Sequence, residues 1–174
     1  MQQPLFRALW LGSIVSNIGT TMNDTAAVWT MTTLTNSPGM VSLMQAMSSL
    51  PLFLFGLPAG AMADLVNRRR LILFAQAGAL LTAIGMAILA AKGMLSPALL
   101  LLATFQLGVA AAFTMPAWQA LIPEIVGREN LAPAIALSGV GYNIARSVGP
   151  IAGGLLLASL GPVPVFALNA CSFA

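Results

Sequence analysis

The chain has 174 residues, 59% of them hydrophobic and only 6% charged, with a mean hydropathy of +0.92; an ordinary soluble domain carries about a quarter charged residues, so a normal aqueous surface is excluded. Seven basic and four acidic groups give a net charge of +3, too few to build a nucleic-acid footprint, so the sign bears on membrane topology and no nucleic-acid partner is expected. With no His and a single Cys, Cys171, the chain can assemble neither a disulfide framework nor a His/Cys metal cage, nor Ser-His-Asp or Cys-His catalysis; no catalytic residue, metal or cofactor is expected, and an enzyme is the disfavoured class.

A bilayer core about 30 Å thick needs roughly 20 mostly apolar residues per helical crossing. Such runs are expected at 8–34, 40–63, 71–91, 97–122 and 131–160, followed by a shorter one over 163–174. The first run follows Arg7 as a signal peptide would, but it is long, crossed by polar residues and without a small-x-small cleavage site, which predicts a retained helix. It carries Ser13, Asn17, Thr20 and Asp24 at steps of four, three and four, the spacing of one helical face. A carboxylate at the depth of Asp24 costs several kcal/mol unless it faces water or a partner, so Asp24 is expected either to pair or to line a cavity.

After the break at Asn36 to Gly39, the second run contains Gly56, Pro58 and Gly60 and ends in Asn67 to Arg70. The third ends at Lys92 to Ser96 and the fourth at Pro123 to Asn130. Met44, Met47, Phe105, Phe113 and Trp118 either line an adaptable pocket or pack against lipid and neighbouring helices. In the fifth run Ser138, Tyr142 and Arg146 form a polar stripe, while Gly141, Ala145, Gly149 and Gly153 form a stripe of small residues that admits another helix backbone. Counted from the starts of their runs, Arg146 and Asp24 reach similar depths, and the two are expected to meet or share one cavity. The last run, about a dozen residues, is shorter than a crossing requires, and its helix is expected to be incomplete.

Consecutive breaks must lie on opposite sides, which gathers Arg7, Arg68, Arg69, Arg70 and Arg128 on one side and leaves Lys92 on the other. The positive-inside rule makes the arginine side cytoplasmic and places the amino terminus inside. Gly56, Pro58 and Gly60 have counterparts in Gly149, Pro150 and Gly153, which suggests two three-helix units in inverted relation, a transporter pattern.

The loop after the second run, Gly60-Ala-Met-Ala-Asp64-Leu-Val-Asn-Arg68-Arg69-Arg70, resembles the signature between helices two and three of the major facilitator superfamily: Gly, three residues, Asp, three residues, two basic residues. Gly60, Asp64, Arg68 and Arg69 occupy those places, with Leu65 where an Arg is usual and Asn67 where a Gly is usual. In the fifth run, Gly149-Pro150-Ile-Ala-Gly153-Gly154 is similar to the Gly-Pro-x-x-Gly-Gly element of the exporter, or antiporter, branches. Pro116 to Glu124 and Gly127 to Leu131 resemble the siderophore-exporter-like branch. Thr104 stands where drug antiporters commonly carry an Arg, which leaves Asp24 and Arg146 as the expected coupling residues.

The resemblance implies an all-α integral membrane protein: a six-helix bundle of 3+3 inverted repeats forming the amino-terminal half of a twelve-helix transporter. It implies a gating role for Asp64, Arg68 and Arg69 on the cytoplasmic side, and a cavity lined by residues such as Asn17, Asp24, Tyr142 and Arg146. The expected function is alternating-access transport of a small molecule, as proton-coupled export of a siderophore, drug or metabolite across the cell inner membrane. The expected partners are that small-molecule substrate, membrane lipid, and a carboxy-terminal half or second chain. The alternatives are an importing or ion-independent transporter of the same fold, and a non-transporting half protein or partner-binding membrane subunit.

Overall fold

The computed structural model describes residues 4–173, so the end of the last expected span, Ala174, lies outside the described residues. Six helices follow one another: α1 (Pro4–Leu34), α2 (Pro38–Leu65), α3 (Arg68–Ala91), α4 (Pro97–Val126), α5 (Leu131–Leu160) and α6 (Pro162–Ser172). A short 3₁₀ turn, Arg128–Asn130, precedes α5. No strand occurs among the described residues. α2, α3 and α4 are long and apolar enough to cross a membrane, and the protein is an integral membrane protein of the all-α class.

Local chemistry explains the breaks. Pro38, Pro97 and Pro162 each open a helix, where the missing N–H costs nothing. Asn67 caps α3 by accepting from the Arg70 amide, and Ser96 caps α4 by accepting from the Leu99 amide. Gly127 and Gly161 stop α4 and α5 with φ of 71° and 78°, a region that a Cβ makes costly. α4 runs about a turn past the expected span end at 122, continuing through Pro123.

Side-chain contacts set the helix directions. Trp10 meets Leu137, Ile18 and Thr21 meet Gly149, and Met22 meets Gly153; positions rise together, so α1 and α5 are parallel. Ser48 and Pro51 meet Gly108, and Phe55 meets Phe113, so α2 and α4 are parallel too. By contrast, Leu71 packs with Ala117 and Thr82 reaches Gln106, which makes α3 and α4 antiparallel. Phe6 packs with Ile122 and Val126, which makes α1 antiparallel to α4.

Laying α1–α3 on α4–α6 therefore exchanges the α1/α5 contact for α4/α2 and the α3/α4 contact for α6/α1, with every helix reversed. This is the inverted 3+3 relation. The close approach of Ser48 to Gly108 corresponds to that of Gly141 to Ile14. The two halves differ beyond that point. A Cβ on Gly149 would collide with the Thr21 hydroxyl and one on Gly153 would lie 2.9 Å from the Met22 Cα, whereas Gly56 is near only Leu52 of its own helix and Gly60 faces open space. The matched glycines of the sequence thus do unequal work: those of α5 seat it on α1, and those of α2 seat nothing. Azimuth explains the difference: Phe55, Ala59 and Ala63 are the inward positions of α2, so Gly56 and Gly60, each one residue further on, are turned about 100° away from α4.

The main core holds Met22, Met31, Met44, Met86, Leu100 and Phe166, drawn from all helices except α5, which adds Leu157. Two amides are buried beside it, Asn23 and Asn169, between α1 and α6. Trp118 packs with Phe6 in a second cluster; with Met44 in the core and Phe113 beside Phe55, these large side chains pack against neighbouring helices.

Candidate functional site

Two places bring the sequence-predicted residues together. The first is the end of the bundle where α2 stops and α3 begins. Arg68 is the hub: its Nε donates to the Ala63 carbonyl at 3.1 Å and its Nη1 to the Ala120 carbonyl at 3.3 Å. The same guanidinium is ion-paired with Glu124 and lies 3.8 Å from Asp64. One side chain thus ties the last turn of α2, through the Ala63 carbonyl that the helix end leaves unsatisfied, to the last two turns of α4, through the second lone pair of the Ala120 carbonyl and the Glu124 carboxylate. Arg68 is 27% exposed and Asp64 77%, so the Glu124 and carbonyl contacts dominate while the Asp64 contact is solvated. Arg69 is exposed and lines the same polar cleft, and Gly60 lies one turn before Asp64.

Glu124 is the residue that sequence reasoning missed. Its only signal was an acidic group at the arginine-rich end of a helix, and nothing in the spacing connected it to Arg68, 56 positions earlier.

The second place is one flank of the parallel α1–α5 pair. Ile14, Ile18, Thr21 and Met22 face α5, and Gly141, Ala145, Gly149 and Gly153 face α1. The Thr21 hydroxyl donates across this contact to the Ala145 carbonyl at 3.0 Å, and the Trp10 indole donates to the Leu137 carbonyl at 2.9 Å. At about 3.6 residues per turn, Asn17 and Asp24 stand roughly a quarter-turn from the α5-facing stripe. Tyr142 and Arg146 stand a similar angle from the α1-facing stripe, in the sense that brings all four to the same flank. α6 occupies a different side of α1, where Gly19 meets Asn169 and Ser172. The polar stripes of α1 and α5 therefore adjoin in a single strip, along which Asp24, Tyr142 and Arg146 are exposed and Asn17 half-buried. The Arg146 guanidinium lies over the Tyr142 ring at 5.8 Å, a cation–π contact.

Of the two expected arrangements for Asp24 and Arg146, meeting or sharing one cavity, the first does not occur: the two lie on the same flank, but no ion pair joins them among the described residues. The contacts of Gly149 and Gly153 set the register, and in it Arg146 is level with Asn17, about 10 Å along the axis from Asp24. The expected depths were counted from span starts at 8 and 131, but α1 begins at Pro4 and α5 begins level with that end. Within the Gly-Pro-x-x-Gly-Gly element the roles divide: Gly149 and Gly153 are buried against α1, whereas Pro150 is exposed and a Cβ on Gly154 would meet nothing.

An inverted six-helix repeat with an arginine-centred tie at one end and a polar strip along α1 and α5 defines half of a major facilitator transporter fold. Over residues 1–174 the chain matches the family described as "Transmembrane secretion effector", and it belongs to that family. It is similar to proteins named enterobactin exporter EntS: 30% identical over 162 residues to that of Salmonella typhimurium (strain LT2), 31% to that of Shigella boydii serotype 18 and 30% to that of Escherichia coli O1:K1. Each match covers 91% of this chain and 38% of the relative, so the chain spans well under half the length of these curated relatives. No solved structure matches it.

Proposed function

We propose that this chain forms the amino-terminal half of a membrane exporter that moves a small molecule by alternating access, coupled to protons. The observation that carries this reading is the joining of two polar stripes on one exposed flank of the α1–α5 pair, in a chain only 6% charged. Such a strip is costly against lipid and is suited to a water-filled pathway between this half and a carboxy-terminal half. Membership of a secretion family and likeness to exporters support the outward direction.

In this reading Asn17, Tyr142 and Arg146 contact substrate, and Asp24, one and a half to two turns further along α1, carries the coupling proton. The substrate and proton sites are thus separated along one strip, and protonation of Asp24 biases the inward and outward states by changing a charge at the cavity wall. Asp64, Arg68 and Arg69, joined by Glu124, form the cytoplasmic gate, with the amino terminus inside. Gly149 and Gly153 keep α5 in sliding contact with α1.

The relatives' names make enterobactin the first compound to test. The experiment is efflux driven by an imposed proton gradient, in proteoliposomes that hold this chain with its carboxy-terminal half. The expected result is efflux that Asp24→Asn abolishes while substrate binding persists. Gradient-driven efflux left intact by Asp24→Asn would remove the coupling role of this carboxylate, and efflux unaffected by collapse of the gradient would favour an ion-independent transporter.

A further inference from the structure

Between α3 and α4 lies an open apolar groove of about 350 Å³. Leu71, Phe74, Ala75 and Gly78 form one wall, and Gln106 and Phe113 belong to the other. The groove starts in the first turn of α3, directly after Arg70, and reaches Thr82, where the hydroxyl contacts the Gln106 side-chain oxygen at 3.4 Å. From Leu71 to Thr82 is about 16 Å along a helix axis, close to the depth of one leaflet of a core about 30 Å thick. The groove is therefore one acyl chain deep, and a polar pair closes it near the bilayer midplane.

Its mouth is cationic. Arg70 precedes Phe74 by one turn, and Phe74 lines the groove and is 78% exposed, so Arg70 sits above the groove on the same stripe. Unlike Arg68, which spends its guanidinium on Glu124 and two carbonyls, Arg70 is exposed and its side chain makes no ion pair among the described residues. The groove floor is open because Gly78 has no Cβ and nothing within 4 Å of where one would be.

We propose that this groove binds one phospholipid with an anionic headgroup, from the leaflet on the Arg68–Arg70 side, its phosphate on Arg70 and one acyl chain along Ala75 and Gly78. A guest there bridges α3 and α4 beside the Arg68–Glu124 tie, so lipid composition acts on the same end of the bundle as that ion pair.

The test is native mass spectrometry of the purified 174-residue chain in detergent with added dioleoylphosphatidylglycerol or dioleoylphosphatidylcholine. The native chain is expected to retain one phosphatidylglycerol in preference to phosphatidylcholine by about fivefold, the factor one surface guanidinium contributes. Arg70→Gln should erase the preference and Arg70→Lys should keep it. Gly78→Leu fills the groove from an exposed position and should lose retention of both lipids without lowering the melting temperature. Equal retention of the two lipids by the native chain, or a preference that survives Arg70→Gln, overturns the proposal. Retention unaffected by Gly78→Leu overturns the acyl-chain placement on which it depends. A dimer of the chain that Gly78→Leu dissociates would put a second copy in the groove and overturn it as well.

Discussion

Single residues divide sharply between those that tie helices and those that only resemble them in the sequence. Arg68 has several partners of unequal strength, and the better-shielded one is Glu124. Glu124 is itself more than half exposed, so Glu124→Gln is expected to destabilise the chain by up to about 1 kcal/mol and Asp64→Asn by less, both within the range of solvated ion pairs; melting temperatures in detergent decide the order. The glycines of α5 divide in the same way. Gly153→Ala drives a methyl to 2.9 Å from the Met22 Cα and should cost about 1–3 kcal/mol through overpacking. Gly154→Ala meets nothing and should raise stability by about 0.5–1 kcal/mol, because alanine is the better helix residue. A lower melting temperature for Gly154→Ala than for Gly153→Ala would contradict the α1–α5 packing described here.

Among the elements, the parallel α1–α5 pair decides the geometry of the polar strip. The stripe Gly141, Ala145, Gly149, Gly153 was legible because small residues at helical spacing have a direct packing meaning. The register between the helices was not legible, because sliding one helix by a turn leaves each stripe intact and changes only which residues face each other. That is why Asp24 was expected opposite Arg146, where the structure puts Asn17. Cysteine pairs test this. In a Cys171→Ser background, a short bifunctional thiol reagent should cross-link Asn17→Cys with Arg146→Cys and fail with Asp24→Cys and Arg146→Cys. The reverse outcome would restore the deeper pairing.

At the scale of the whole molecule, the reversed order of contacts between α1–α3 and α4–α6 gathers the start of α1, the α2–α3 junction and the α4–α5 junction at one end. Arg7, Arg68, Arg69, Arg70 and Arg128 lie at that end, and Lys92 lies between α3 and α4 at the other. If the arginine end is cytoplasmic, a membrane-impermeant maleimide added outside intact spheroplasts should label Lys92→Cys and spare Arg69→Cys; the opposite pattern would invert the orientation. What the sequence determined by itself was class and periodicity: an apolar, helical, membrane-embedded chain, broken at Pro and Gly, with polar and small stripes at spacings local enough to read along one helix. What only the tertiary structure decided was everything that depends on two helices at once. That includes the Arg68–Glu124 tie, the level of Asp24 relative to Arg146, the unequal roles of matched glycines and the open α3–α4 groove. The physical reason is that a stripe records which face of a helix is polar or small, whereas azimuth and register between helices are set by the summed packing of many side chains that no single spacing encodes.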